Sequence, residues 1–182
     1  MNKNTIIATL ITQVFLSSAF AQGLSGGSVT TPIPVNARVA QACTIATSLG
    51  LNFATYDPVS INATVALNSV GQISIACTKG STSVLVGLDY GKKNTGGQRA
   101  MVGTTSAGLL LYNVFQPSTN VPGAPCTFPA STAWGPSTGT TLPIPVAANS
   151  LVQLYNICGT IPGGQSVAAD AYTDTITATI YF

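Results

Sequence analysis

Apolar and polar residues alternate along most of this chain, and the alternation has a period of two. Val29, Thr31, Ile33, Val35, Ala37 and Val39 share one parity; Pro32, Pro34, Asn36 and Arg38 share the other. That is the signature of a strand with one buried face. Between Thr44 and Phe53, Leu49, Leu51 and Phe53 alternate, which predicts an irregular strand pair. Thr55 to Pro58 reads as a turn, because proline forbids helix there. Gly71–Lys79 predicts a strand with Ile73, Ile75 and Cys77 on one face, and Ser83–Tyr90 another with Val84, Val86 and Leu88 together. Gly91 to Gly108 is glycine-rich and polar, interrupted by Arg99-Ala100-Met101-Val102. Leu109–Phe115 predicts a strand, Gln116–Thr141 a long loop holding Cys126 and Trp134, and Leu142–Val146 and Leu151–Ile161 two more strands. Pro162-Gly163-Gly164 is a turn. Tyr172–Phe182 closes the chain as one alternating strand, with Ile176, Ala178, Ile180 and Phe182 facing one way. No 3.6-residue period persists, so the expectation is an all-β sandwich of about seven strands.

Composition narrows the class. Charged residues make up 5% of the chain, there is no histidine, and the acids are four aspartates, Asp57, Asp89, Asp170 and Asp174. The net charge is +2, too little to attract nucleic acid or anionic lipid strongly. A largely apolar run from Ile6 to Leu16 follows Lys3 and leads to Ala19-Phe20-Ala21. This is the layout of a secretory signal peptide over residues 1–21, with Gln22 as the mature N-terminus. The run is too short to span the roughly 30 Å hydrocarbon core of a bilayer. Export makes sense of Cys43, Cys77, Cys126 and Cys158 as two disulfides, for which three connectivities exist. A zinc site lacks both histidine and C-x-x-C spacing.

Catalytic chemistry is short of parts. Without histidine there is no Ser-His or Cys-His pair, and no catalytic residue is assigned. Asp170 and Asp174, four apart, read as turn residues, as does Asp57 before Pro58. Lys92-Lys93 reads as a solvated loop tip, and Gly91–Gly97 lacks the phosphate-cradle arrangement. Asn62-Ala63-Thr64 fits a glycosylation sequon, a motif short enough to recur by chance. Trp134 and Tyr112 read as core aromatics rather than ligand-stacking ones.

Several segments together resemble the spore coat protein U domain, which is also the fold of archaic chaperone–usher pilins. They are Ala42-Cys43-Thr44-Ile45, Leu51–Pro58 (LNFATYDP), Ile73–Gly80 (ISIACTKG), Arg99–Gly103 (RAMVG), Leu109–Phe115 (LLLYNVF), Trp134-Gly135, and Ile161–Phe182. The resemblance implies an incomplete immunoglobulin-like β-sandwich completed by a donor strand from another chain. It implies disulfides Cys43–Cys77 and Cys126–Cys158, each closing a loop worth roughly 3–4 kcal/mol by chain entropy. It further implies a structural subunit of a secreted, cell-surface fimbria that polymerises by donor-strand exchange and supports adhesion and biofilm. The implied partners are a periplasmic chaperone, an outer-membrane usher and neighbouring pilin subunits, without a cofactor or metal.

On this resemblance, residues 22–41 form a donor-strand extension and residues 42–182 the sandwich. The donor face is Val29, Thr31, Ile33, Val35, Ala37 and Val39. The acceptor groove and chaperone anchor are Ile176, Ala178, Ile180 and Phe182. Two other readings share the sequence: a secreted coat or matrix protein with the same domain but no usher, and a secreted carbohydrate-binding or hydrolytic protein. Pro32 and Pro34 complicate the donor, since each lacks an N–H and so removes a ladder bond if it lies within a paired strand.

Overall fold

In the computed structural model, residues 27–182 are described; the signal peptide expected at residues 1–21 and the first residues of the extension lie outside them. Residues 27–37 fall outside the compact unit formed by residues 38–182. They contain no helix or strand, and their apolar side chains are exposed, Val29 by 98%.

Residues 38–182 are all-β apart from one turn of 3₁₀ helix at Ile61–Ala63. The strands are β1 (Cys43–Leu49), β2 (Leu67–Cys77), β3 (Leu85–Leu88), β4 (Asn94–Thr95), β5 (Gln98–Gly103), β6 (Leu109–Phe115), β7 (Leu142–Pro143), β8 (Gln153–Ile161), β9 (Tyr172–Thr173) and β10 (Ala178–Tyr181). Every pairing among them is antiparallel. One sheet runs β1-β2-β8-β6-β5-β4, with β9 also on β5; the other runs β10-β3-β7. The expected all-β sandwich is therefore present, with more and shorter strands than the alternation suggested.

The core follows from the alternation. Ile73, Ile75 and Cys77 of β2, Leu110, Tyr112 and Val114 of β6, and Tyr155, Ile157 and Ile161 of β8 are buried on the inner face of the larger sheet. Val84, Val86, Leu88 and Leu142 meet them from the smaller one. Trp134, 0% exposed, fills the space between. Its indole N–H donates to the Val86 carbonyl (2.8 Å), and its main-chain N–H donates to the Val114 carbonyl (3.0 Å). The long loop thus supplies a side chain that ties one sheet to the other. The same loop is fixed to β8 by the Cys126–Cys158 disulfide, while Cys43–Cys77 joins β1 to β2.

Three expected elements differ. Thr44–Phe53 is one strand, β1, with a register shift between Thr47 and Leu49, followed by a stretch outside any ladder. Gly71 of β2 allows this departure: a Cβ there would lie 3.1–3.2 Å from main-chain atoms of Leu49 and Leu51 as they cross it. Leu142–Val146 reduces to β7, Leu142–Pro143, because Pro143 and Pro145 offer no amide to extend the ladder. Tyr172–Phe182 divides into β9 on the larger sheet and β10 on the smaller one. The residues between carry the chain from one sheet to the other, which alternation alone does not reveal.

Candidate acceptor groove

The two sheets are not closed along one side. A groove of about 1060 Å³ opens between the stretch from Thr47 to Val59 and the stretch from Val167 to Ala178. Its floor is core: Ile73, Leu88, Leu110, Tyr112, Ile157 and Ile161. Leu51 and Phe53 line the first wall, Tyr172, Ile176 and Ala178 the second. Phe53 meets Tyr112 edge-on, ring centroids 6.2 Å apart.

The first wall is irregular. Among the described residues, Leu51 to Tyr56 make no main-chain to main-chain hydrogen bond. The wall is held by side chains instead. Ser69 Oγ donates to the Asn52 carbonyl. Tyr56 O–H donates to the Pro162 carbonyl (3.0 Å) and accepts from the Gln165 N–H (2.9 Å). Asn62, 3% exposed, accepts from Asp57 N–H and donates to the Val65 carbonyl. Its burial leaves the sequon unusable in the folded chain.

The second wall is regular, and its main chain is half unpaired. Thr104 N–H donates to the Ala171 carbonyl (2.9 Å), and Asp89 N–H donates to the Thr177 carbonyl (3.0 Å). Thr173 pairs with Val102 and Thr179 with Gly87. Odd-numbered residues therefore turn their main chain toward the domain's own strands. Strand alternation turns Tyr172, Asp174, Ile176, Ala178 and Ile180 toward the open side. These are also the residues whose side chains are partly buried. The wall thus offers apolar contacts and free main-chain groups together. It is an open sheet edge beside a hydrophobic cleft, a combination that invites strand addition or aggregation.

The aspartates hold this geometry. Asp174 accepts from Tyr112 O–H (2.6 Å), Lys92 N–H (2.9 Å) and Thr175 N–H (2.7 Å). Burial and the bond to Asp174 push the Tyr112 phenol far above its ordinary pKa. Asp170 accepts from Ser106 N–H (2.7 Å) and Thr105 N–H (2.9 Å), and from the hydroxyls of Ser106 and Thr104. These bonds hold its carboxyl well below the usual range. Asp89 bonds Gly91 and Thr177 N–H, and Asp57 bonds Val59 and Ser60 N–H. Each acid thus accepts from main-chain N–H groups and staples a turn or loop. No cluster suited to a metal ion occurs among the described residues.

Arg99 is a feature that sequence reading did not find. It is 5% exposed. Its guanidinium donates to the carbonyls of Leu88 (2.9 Å), Asp89 (2.6 Å) and Trp134 (2.8 Å), bridging both sheets and the loop. The Tyr90 ring lies 5.3 Å away. Burial lowers its pKa from the ordinary value. A lone arginine in a polar, glycine-rich stretch carries no sequence mark of burial.

Of the expected acceptor residues, Ile176 and Ala178 line the groove, and Ile180 packs against the core. Phe182 is 58% exposed and lies outside the lining. Among expected donor residues, Val29, Ile33, Val35 and Val39 are exposed.

An all-β sandwich with an open apolar groove along one side defines the class of domain. The Spore Coat Protein U domain matches residues 29–179, and the chain belongs to that family. "Protein U" of Myxococcus xanthus is 35% identical over 162 residues, covering 80% of each protein. Among solved structures, the fold resembles a chain of the CsuC–CsuE chaperone–tip adhesion subunit pre-assembly complex, from archaic chaperone–usher Csu pili of Acinetobacter baumannii. There the TM-score is 0.52 at 22% identity, covering 79% of this chain and 40% of that one. The chain therefore spans about two-fifths of that solved chain, and the likeness concerns the fold. No helix among the described residues is long and apolar enough to cross a membrane.

Proposed function

We propose that the protein is a structural subunit of a secreted chaperone–usher fimbria and polymerises by donor-strand exchange. The observation that carries the reading is the groove of about 1060 Å³ bordered by the free main-chain edge of Tyr172–Ile180. The Val29–Val39 segment of one copy fills the groove of the next. Its odd-numbered side chains enter the cleft while its main chain adds a strand to the open edge. The fit in length is good. Eleven extended residues span about 36 Å, and the second wall from Val167 to Ala178 is about a dozen residues long.

The same exposed surface explains a need for escort. A periplasmic chaperone covers the groove before assembly, and an outer-membrane usher directs exchange of its strand for the next subunit's. Residues 1–21 take the chain out of the cytoplasm, residues 22–41 serve as the donor extension, and residues 42–182 form the receiving sandwich. The product is a cell-surface fibre that supports adhesion and biofilm formation.

Deletion of residues 22–40 tests the reading. The shortened subunit should still accept a donor strand and cap a growing chain, yet fail to extend it. Polymers of normal length from the deleted protein would refute strand exchange. A full-length mature chain that stays monomeric, with its groove closed to added donor strand, would favour a coat or matrix role without an usher.

A further inference from the structure

Beside Arg99 lies a second, smaller pocket of about 200 Å³, which shares no lining residue with the groove. It forms where β6 changes partners. The pairing of β6 with β5 ends at Tyr112–Arg99. Beyond it, Phe115 bridges to Ala133, and Trp134 N–H donates to the Val114 carbonyl. The pocket opens at that change, between Gly97 at the tip of the β4–β5 hairpin and the turn from Gly135 to Thr140.

Its polar groups are not used up by the fold. A guanidinium carries five N–H donors. In Arg99, Nε donates to the Asp89 carbonyl (2.8 Å), and Nη2 is shared among the carbonyls of Leu88, Asp89 and Trp134. Nη1 meets no acceptor among the described residues. Asp89 and Asp174, whose charges Arg99 feels, spend their carboxylates on other N–H and O–H groups. No buried side-chain nitrogen or oxygen among the described residues is both enclosed and without a partner. Nη1 therefore reaches open space, and Arg99 borders this pocket and not the groove.

Two hydroxyls stand beside it. A Cβ on Gly135 would lie 2.7 Å from Thr140 Oγ1 and 3.4 Å from the Tyr90 hydroxyl oxygen, so the glycine leaves room where the two converge. The Tyr90 ring lies 5.3 Å from the guanidinium, and its O–H has no partner among the described residues. Thr140 gives its hydrogen to the Ser137 carbonyl (2.8 Å), which leaves its oxygen to accept.

This set of groups selects a ligand. Nη1 and the Tyr90 O–H both suit a negatively charged oxygen, and a charge-assisted bond away from bulk water is among the stronger ones. Thr140 Oγ1 suits a hydroxyl donor. Drug-sized ligands occupy pockets of roughly 300 Å³ or more, so this one admits a single sugar-sized group. We propose that the pocket binds a hydroxylated carboxylate the size of one sugar acid. The carboxylate accepts from Arg99 Nη1 and Tyr90 O–H, and a ligand hydroxyl donates to Thr140 Oγ1. The site stands apart from strand exchange. In a fibre built as proposed above, it recurs once per subunit and multiplies a weak affinity.

The probe is glucuronate, titrated into the full mature chain, with glucose and acetate as controls. Trp134 is the single tryptophan and lines the pocket, so its emission reports occupancy. Amide chemical shifts of Gly97 and Gly135 locate it. Glucuronate should give a saturable response, with glucose and acetate each about tenfold weaker or more. Tyr90→Phe keeps the ring beside the guanidinium, and Thr140→Val keeps the shape of its side chain. Each should weaken glucuronate about tenfold without lowering the melting temperature, and Thr140→Val should leave acetate unchanged. Glucose binding as tightly as glucuronate would overturn the role of the charge. Acetate binding as tightly would overturn the role of the hydroxyl. No response to glucuronate, or shifts that spare Gly97 and Gly135, would overturn the site itself while leaving strand exchange intact.

Discussion

Replacing Arg99 by methionine tests how the sandwich is held together beside its open groove. Methionine fills similar length without charge. From the larger sheet, the native guanidinium donates to three carbonyls, those of Leu88 and Asp89 at the end of β3 on the smaller sheet and of Trp134 in the long loop. Hydrogen bonds from a charged group contribute about 1.5–3 kcal/mol each, so the gross loss over the three carbonyls is about 4.5–9 kcal/mol. The variant no longer bears the cost of burying a charge, which offsets several kcal/mol of that. A net loss of about 3 kcal/mol remains, and for a domain of this size it lowers Tm by roughly 6–12 °C. The assay is thermal unfolding of the disulfide-intact mature chain followed by fluorescence of Trp134, the single tryptophan. Its burial makes that signal report the same junction. A variant melting within about 1 °C of the native protein would show that the arginine is not a cross-sheet tie.

Three further outcomes follow from named contacts. Asp170→Asn should speed hydrogen exchange at the Thr105 and Ser106 amides, which its carboxylate holds; unchanged protection would contradict that role. Because folding depresses this carboxyl's pKa, its stabilising effect is complete above the unfolded value of about 3.9 and is lost as pH falls below it. Native protein should therefore lose that loop's order on acidification, while the asparagine variant shows no such dependence. Gly163→Ala brings a Cβ to 2.6–2.9 Å from main-chain atoms of Thr64 and Val65. It should destabilise by about 1–3 kcal/mol, and an unchanged melting temperature would refute the packing described. Expression through a glycosylating secretory pathway should yield chain without glycan at Asn62 once folded, since that side chain is buried; intact mass measures it directly.

Much of the sandwich was legible because burial follows alternation. Ile73, Ile75, Val84, Val86 and Leu88 are buried as their parity requires, and Leu109–Phe115 is a strand at the expected bounds. The groove was less legible, since an unpaired edge is a property of how strands meet. Tyr172–Phe182 alternates throughout, yet its hydrogen-bonding partners change from β5 to β3 midway. Nothing in the side-chain pattern records that change. Leu51 and Phe53 alternate like strand residues too, but the chain crosses Gly71 there and leaves the ladder. Asp57, Asp170 and Asp174 read as turn residues in the sequence; in the fold Asp57 does bond its own turn, while Asp170 and Asp174 fasten the Thr105–Ser106 loop and Lys92 to the groove wall.

In the proposed function, the inward-facing residues of the last strand segment keep free main-chain groups until another copy supplies a strand. Residue-resolved hydrogen exchange on the mature chain, compared between monomer and polymer, addresses it directly. In the monomer, the amides of Ile176, Ala178 and Ile180 should exchange quickly while that of Thr179, paired across to Gly87, is protected. In the polymer all four should be protected. Amides of Ile176, Ala178 and Ile180 that remain fast in the polymer, or are already slow in the monomer, would contradict the account.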